Sequence, residues 1–149
     1  MLSCSDDDDS PKVAAETYFE VSPEANVTLP VWVLSPSADE TALVIVHGGP
    51  GVGAIGFFDP EQAVLKEIAK VHPTIIYDQR SAGGIIQGKP GTDISINKHV
   101  SDLKFVVDEV KKRYSNIKKV VLLGHSWGVQ LSAKFAGCSC SFGRWIHFH

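Results

Sequence analysis

The sequence predicts an α/β domain: a mostly parallel sheet with an antiparallel strand pair on its N-terminal side. Three observations carry that expectation. Short, dominantly apolar runs at residues 42–46, 74–77 and 119–123 have the composition of strands covered on both faces. Between and after them lie stretches whose apolar residues recur at helical spacing. Ahead of them, two segments alternate apolar and polar residues, as half-buried strands do. Strand, helix, strand, helix, strand, helix in that order means parallel βαβ units. A chain of 149 residues suits one domain, able to bury about 68% of the surface its unfolded form exposes.

Element by element, residues 13–21 and 27–34 are rich in Val, Thr, Tyr, Phe and Trp, and Ser22-Pro23 and Ser35-Pro36 punctuate them. Residues 42–46 form the first buried strand. Asp59-Pro60-Glu61-Gln62 then offers an N-cap Asp, Pro at the first helical position and Gln at the third. Val64, Leu65, Ile68, Ala69 and Val71 follow on one apolar face, predicting a helix over 60–70. After the strand at 74–77 and a glycine-rich stretch, Val100, Leu103, Val106, Val107 and Val110 predict a second helix ending near Tyr114. The strand at 119–123 is followed by a third helical pattern over 129–136.

Composition narrows the classes of function. At 44% hydrophobic and 21% charged residues the chain is an ordinary globular protein, and its longest apolar runs are far too short to span a bilayer. The net charge of −3 belongs to Asp6 to Asp9; without them 13 acids face 14 bases. A near-neutral body without a basic stripe argues against nucleic acid as a partner. Residues 1–12 read as a disordered acidic leader, 13–136 as a partial domain and 137–149 as a tail of different composition.

The start of the leader, Met1-Leu2-Ser3-Cys4, resembles the end of a bacterial lipoprotein signal, with the acidic run as a surface tether. The charged and apolar regions that precede such a cysteine are absent from these residues. A lipid anchor at Cys4 and a cell-envelope location are expected if the coding sequence starts further upstream. Otherwise the likeness is chance, the leader is solvated and the location cytoplasmic.

Two motifs carry the chemistry. Gly124-His125-Ser126-Trp127-Gly128 fits the G-x-S-x-G nucleophile elbow and stands between a buried strand and a helical segment, the context that motif requires. The turn holds Ser126 in a strained conformation, and Gly124 and Gly128 let strand and helix approach closely enough to keep it there. The serine hydroxyl then projects at a helix N-terminus, which favours developing negative charge. His47-Gly48-Gly49-Pro50-Gly51 follows the first buried strand, where a glycine-rich loop can offer N–H groups to an oxyanion.

These two motifs, with Asp78-Gln79-Arg80 between them in order, resemble the proline iminopeptidase family of α/β-hydrolases over about residues 13–136. The resemblance implies the N-terminal half of an α/β-hydrolase fold, with Ser126 as nucleophile and the N–H groups of Gly49 and Trp127 as oxyanion hole. His47 would buttress the loop, and Gly48, Pro50 and Gly51 would shape it. It implies a serine hydrolase that releases an N-terminal residue, often proline, from a peptide or a small-molecule analogue, with no metal or organic cofactor. Alternatives are an esterase or epoxide hydrolase of the same fold, or a non-catalytic, lipid-tethered remnant. The sequence departs from the family at Ser81, where a glycine is usual and Gly83 is the next match, and at Val129, whose branched side chain is expected to tighten packing under the helix. Asp78 and Arg80 are expected to tie loops together by charge-assisted hydrogen bonds.

A serine hydrolase of this fold places its acid and then its histidine after the serine. No Asp or Glu follows Ser126 in these residues. The segment from Gly137 onward has neither the periodicity nor the composition of the family's continuation, as a truncated or out-of-frame end would not. His147 and His149 lack an orienting carboxylate and a scaffold and are not read as the base. Cys138, Cys140, His147 and His149 do not match usual zinc spacings. His125 is expected to point away from Ser126, and His72 and His99 to be surface or packing residues. Loss of a base that acts as a unit with the serine costs about 10⁶ in turnover, or about 8 kcal/mol, so the 149-residue chain alone is expected to be inactive. The strand at 119–123 is expected to be left as an apolar edge that promotes association.

Overall fold

The computed structural model describes residues 17–49, 52–54, 63–80 and 94–138. Among them the elements run β1 (Thr17–Glu24), β2 (Val27–Leu34), β3 (Thr41–Val46), α1 (Ala63–Ala69), β4 (Thr74–Tyr77), α2 (Ile96–Arg113), β5 (Lys119–Gly124) and α3 (Trp127–Cys138). Every expected element is present. The proposed capping residues 59–62, the leader, Pro50, Gly51, Ser81, Gly83 and the tail from residue 139 lie outside the described residues.

The strands form one sheet in the order β1-β2-β4-β3-β5. β3 runs parallel to both β4 and β5, while β1 pairs antiparallel with β2. The antiparallel character reaches one strand further than the sequence suggests, because β2 also runs antiparallel to β4. The sheet is therefore mixed, with its parallel part confined to β4-β3-β5. β1 also continues through Ser22-Pro23 to Glu24, with a register irregularity between Val21 and Glu24. Proline cannot donate to a ladder, so it is absorbed at the irregularity and does not end the strand.

Both faces of the sheet are covered. Val44, Val46, Ile75 and Tyr77 pack with Leu103, Val106, Val107 and Val110 of α2 and Leu131 of α3 in the larger core cluster. Alternate residues Ile45 and Ile76 point the other way, to Leu65 of α1 and to Ala54. This alternation is the period-2 geometry of a strand used on both sides, and it explains why β3 and β4 read as unbroken apolar runs.

α2 begins at Ser95, whose extended backbone and side-chain oxygen cap the N–H of Lys98 at 3.4 Å. It ends in Lys111, Lys112 and Arg113, favourable beside the negative end of the helix dipole. Its buried stripe contains two polar residues besides the aliphatic ones, His99 and Asp102. α3 starts two residues earlier than the apolar pattern indicates, at Trp127. Its buried positions include Gly128, Leu131 and Ser132, a spacing that turns Val129 outward. Val129 is 38% exposed, so the expected tightening under the helix does not occur.

Candidate functional site

Register brings three loops to one end of the sheet. Val46 lies opposite Gly124 and Ile45 opposite Ile76, so the chain leaves β3, β4 and β5 side by side at their carboxyl ends. In open α/β sheets this is the end where ligands bind. The segments that emerge there are His47-Gly48-Gly49, Asp78-Gln79-Arg80 and His125-Ser126-Trp127.

The turn after β5 is tight and strained. Ser126 has φ of 53°, a left-handed conformation that a non-glycine residue holds only when its surroundings enforce it. The enforcing contacts are visible. The His125 N–H donates to the Val46 carbonyl at 3.0 Å, continuing the ladder past the strand end. The N–H groups of Gly128 and Val129 donate to the carbonyls of His125 and Ser126 at 2.8 and 3.0 Å. A Cβ at Gly128 would collide with the Val46 carbonyl oxygen, and one at Gly124 would stand 2.6 Å from the Gly128 carbonyl oxygen. Both glycines of the motif are thus required by backbone approaching backbone.

The loop after β3 is seated against the serine. A Cβ at Gly48 would lie 2.8 Å from the Ser126 Cβ, so only glycine permits that approach. Gly49 has φ of 65°, and its carbonyl accepts the Val52 N–H at 3.1 Å. Trp127 opens α3, where the first N–H groups of a helix have no intrahelical acceptor. Ser126 and His125 are exposed, and the His125 Nδ1 stands beside Gly48. The structure therefore brings together His47, Gly48, Gly49, Gly124, Ser126, Trp127 and Gly128; Pro50 and Gly51 fall outside the described residues.

His47 is fully buried beneath the loop. Its Nδ1–H donates to the Gly48 carbonyl at 2.9 Å, and its Nε2 accepts the Gln79 N–H at 3.2 Å, which fixes the neutral tautomer. Burial pushes its pKa below the ordinary histidine range, against an opposing effect of the hydrogen bond to Gly48. The His47 ring thus links the Gly48 carbonyl to the Gln79 N–H.

Asp78 and Arg80 tie the loops. An Asp78 carboxylate oxygen accepts the Ala54 N–H at 2.5 Å, holding the chain beyond the glycine loop. Arg80 grips Asp102 of α2 with two bonds, Nε to Oδ2 at 2.6 Å and Nη2 to Oδ1 at 2.7 Å, and both side chains are 2% exposed. It also reaches Glu24 at 3.4 Å, to which Lys98 donates at 2.5 Å. Such fork geometry is the strong form of a charged hydrogen bond. His72 is half-exposed beside Asp39, and His99 is a packing residue, both as expected.

Sequence reasoning assigned no role to Gln79 and no contact between His99 and Trp127. The Gln79 side chain donates to the His47 carbonyl at 2.8 Å and accepts the Trp127 indole N–H at 3.2 Å. The His99 ring meets the Trp127 ring edge-on, 5.9 Å between centroids. Position 79 lies inside the quoted Asp78-Gln79-Arg80 motif, the one signal available for it; nothing local marks His99.

Comparison with known proteins agrees with this geometry. A family model described as the alpha/beta hydrolase fold matches residues 41–137. A proline iminopeptidase of Heyndrickxia coagulans is 30% identical over 95 residues, covering 64% of this chain and 30% of that protein. Protein phosphatase methylesterase 1 of Debaryomyces hansenii is 28% identical over 117 residues, covering 76% of this chain and 29% of its own. Among solved structures, an esterase of Pyrococcus furiosus superposes with a TM-score of 0.63 at 22% identity, over 80% of this chain and 45% of that one. A serine hydrolase of Cycloclasticus zankles gives 0.68 at 16% identity, over 90% and 45%. The chain spans about a third of the length of the curated relatives it matches. With its strained serine turn, glycine loop and mixed sheet, this chain belongs to the alpha/beta hydrolase fold family and resembles proline iminopeptidases within it.

Proposed function

We propose that Ser126 is the nucleophile of an acyl-transfer hydrolase of proline iminopeptidase type, with the N–H groups of Gly49 and Trp127 as the oxyanion hole. The observation that carries the reading is the positive φ of Ser126 held against Gly48 at a separation that excludes any other residue. In this reaction the serine oxygen attacks the carbonyl carbon of the N-terminal residue and its proton passes to a base. The negative oxygen of the tetrahedral intermediate takes hydrogen bonds from the two N–H groups. The peptide then leaves as an amine carrying the proton, and water releases the acyl residue from Ser126. These residues supply the nucleophile and the oxyanion hole; the usual order of acid and base after the serine has no acid here.

The test uses an alkyl fluorophosphonate on the 149-residue chain, read by intact mass. An oxyanion hole without a base retains a residual acceleration of about 10³ to 10⁴ over water. Slow addition of one phosphonyl group at Ser126, absent in Ser126→Ala, is expected, without turnover of substrate. No addition, or equal addition to Ser126→Ala, overturns the assignment. Esterase chemistry is the second reading, favoured by the esterases among the similar proteins. In the protein as its gene encodes it, faster cleavage of a prolyl arylamide than of a butyrate ester supports the peptidase, and the reverse order the esterase.

A further inference from the structure

Gln79 is 2% exposed, and each of its polar groups except the carbonyl is engaged by one of the two loops beside it. Its backbone N–H donates to His47 Nε2 at 3.2 Å and its side-chain Nε2 donates to the His47 carbonyl at 2.8 Å. Its Oε1 accepts from Trp127 Nε1 at 3.2 Å. His47 in turn donates from Nδ1 to the Gly48 carbonyl at 2.9 Å, and Gly48 stands against Ser126. A continuous set of hydrogen bonds therefore runs from the glycine loop through His47 and Gln79 to the first residue of α3. The Trp127 ring is held on another side by His99, whose Nδ1–H donates to the Ser95 carbonyl at 3.0 Å.

We infer that Gln79 is a positioning residue that fixes the separation of the two oxyanion donors, Gly49 and Trp127. The inference rests on the function proposed above and adds a residue to it. The two donors come from different loops, and among the described residues no backbone hydrogen bond joins Gly49 to Trp127. Donors act only when they stand at hydrogen-bond distance from the developing oxyanion, and a misplacement of about 1 Å can cost about a hundredfold. A single amide side chain meets this need because it is both donor and acceptor. Glutamate would set a carboxylate against the His47 carbonyl, and asparagine is one methylene shorter.

The experiment compares the rate of Ser126 phosphonylation in wild type, Gln79→Met, Trp127→Phe and the double variant of the 149-residue chain. Folding is followed by circular dichroism and the Trp127 indole by its ¹H–¹⁵N resonance. Trp127→Phe keeps an aromatic ring and removes the indole donor together with the second ring, so it tests the bond by a different route even where Gln79→Met does not fold. Each single variant is expected to slow labelling roughly tenfold to a hundredfold. The double variant is expected to be no slower than the slower single one, as for two partners in one bond. The indole proton of Gln79→Met is expected to shift upfield. Wild-type labelling rates in both single variants, or effects that multiply in the double variant, overturn the inference while leaving Ser126 as nucleophile. No labelling of Ser126 in the wild type overturns the proposed function, and the inference with it.

Discussion

Among the described residues two serines hold a left-handed backbone, Ser35 with φ of 47° and Ser126 with φ of 53°. Ser35 ends the run of β2, is buried, and closes a turn through its carbonyl, which accepts the Ala38 N–H at 3.1 Å. Ser126 ends the run of β5 and is exposed, and glycines press on its turn from the strand before it, the helix after it and the loop beside it. The strain is alike; the company differs. Strain at Ser35 is a consequence of reversing the chain before Pro36. Strain at Ser126 sets its Cβ against a loop that only glycine lets come so near. A backbone outlier is therefore informative only together with what crowds it.

The largest effect should come from filling that crowded space. Gly128→Ala drives a methyl group into the Val46 carbonyl oxygen, backbone against backbone, and is expected to destabilise the fold by at least about 4 kcal/mol. Loss of a cooperative urea transition in circular dichroism is the expected result. A transition near wild type would show that α3 can step away from β3.

A smaller effect is expected at the neighbouring loop, where Arg80 and Asp102 form a buried pair with no counterpart at the Ser35 turn among the described residues. Arg80→Met leaves the Asp102 carboxylate buried without its partner and should cost about 3–5 kcal/mol, most of it recovered in Arg80→Met/Asp102→Leu. Equal stability of the single and double variants would mean that the pair is not the anchor of this loop.

The two serines themselves can be compared directly. Ser35→Gly and Ser126→Gly should each stabilise by about 0.5–1 kcal/mol, because glycine accepts positive φ without steric penalty and pays only in unfolded-state entropy. Phosphonate labelling should survive in Ser35→Gly and disappear in Ser126→Gly. Different signs in denaturant unfolding would break the equivalence of the two strains.

The smallest effect concerns pH. Burial lowers the pKa of His47 from its ordinary 6.5, so the unfolded chain takes up this proton before the folded one does. Stability linked to His47 is complete above the ordinary value and is lost as pH falls below it, levelling off under the depressed folded value. Urea midpoints between pH 7 and pH 5 should fall less steeply in His47→Asn than in wild type. Amide exchange, corrected for intrinsic rate, should accelerate at Gly48 more than at Ala38 over the same range. Equal slopes would remove His47 as the source.

Much of this was legible in the sequence. β2 and β4 have the expected bounds, and the element order follows from apolar runs alternating with helical periodicity. The elbow glycines were legible because their requirement is local: residues two before and two after the serine must pack backbone on backbone. Legibility failed where a partner is distant. Pro23 reads as a strand end but sits at a bulge, since β2 supplies the remaining ladder. Val129 reads as packing but faces outward, since the buried stripe of α3 is set by the sheet beneath it.

By itself, then, the sequence determined the class of the fold, the order of its elements and the identity of the strained serine, because periodicity and close approach within a turn are short-range properties. Only the tertiary structure decided that β2 runs against β4, that Arg80 takes Asp102 as partner, and that Gln79 joins His47 to Trp127. Those outcomes depend on strand order and register, which bring together residues 32 and 48 positions apart. No local pattern encodes such a meeting; burial enforces it, because polar groups taken from water must find one another.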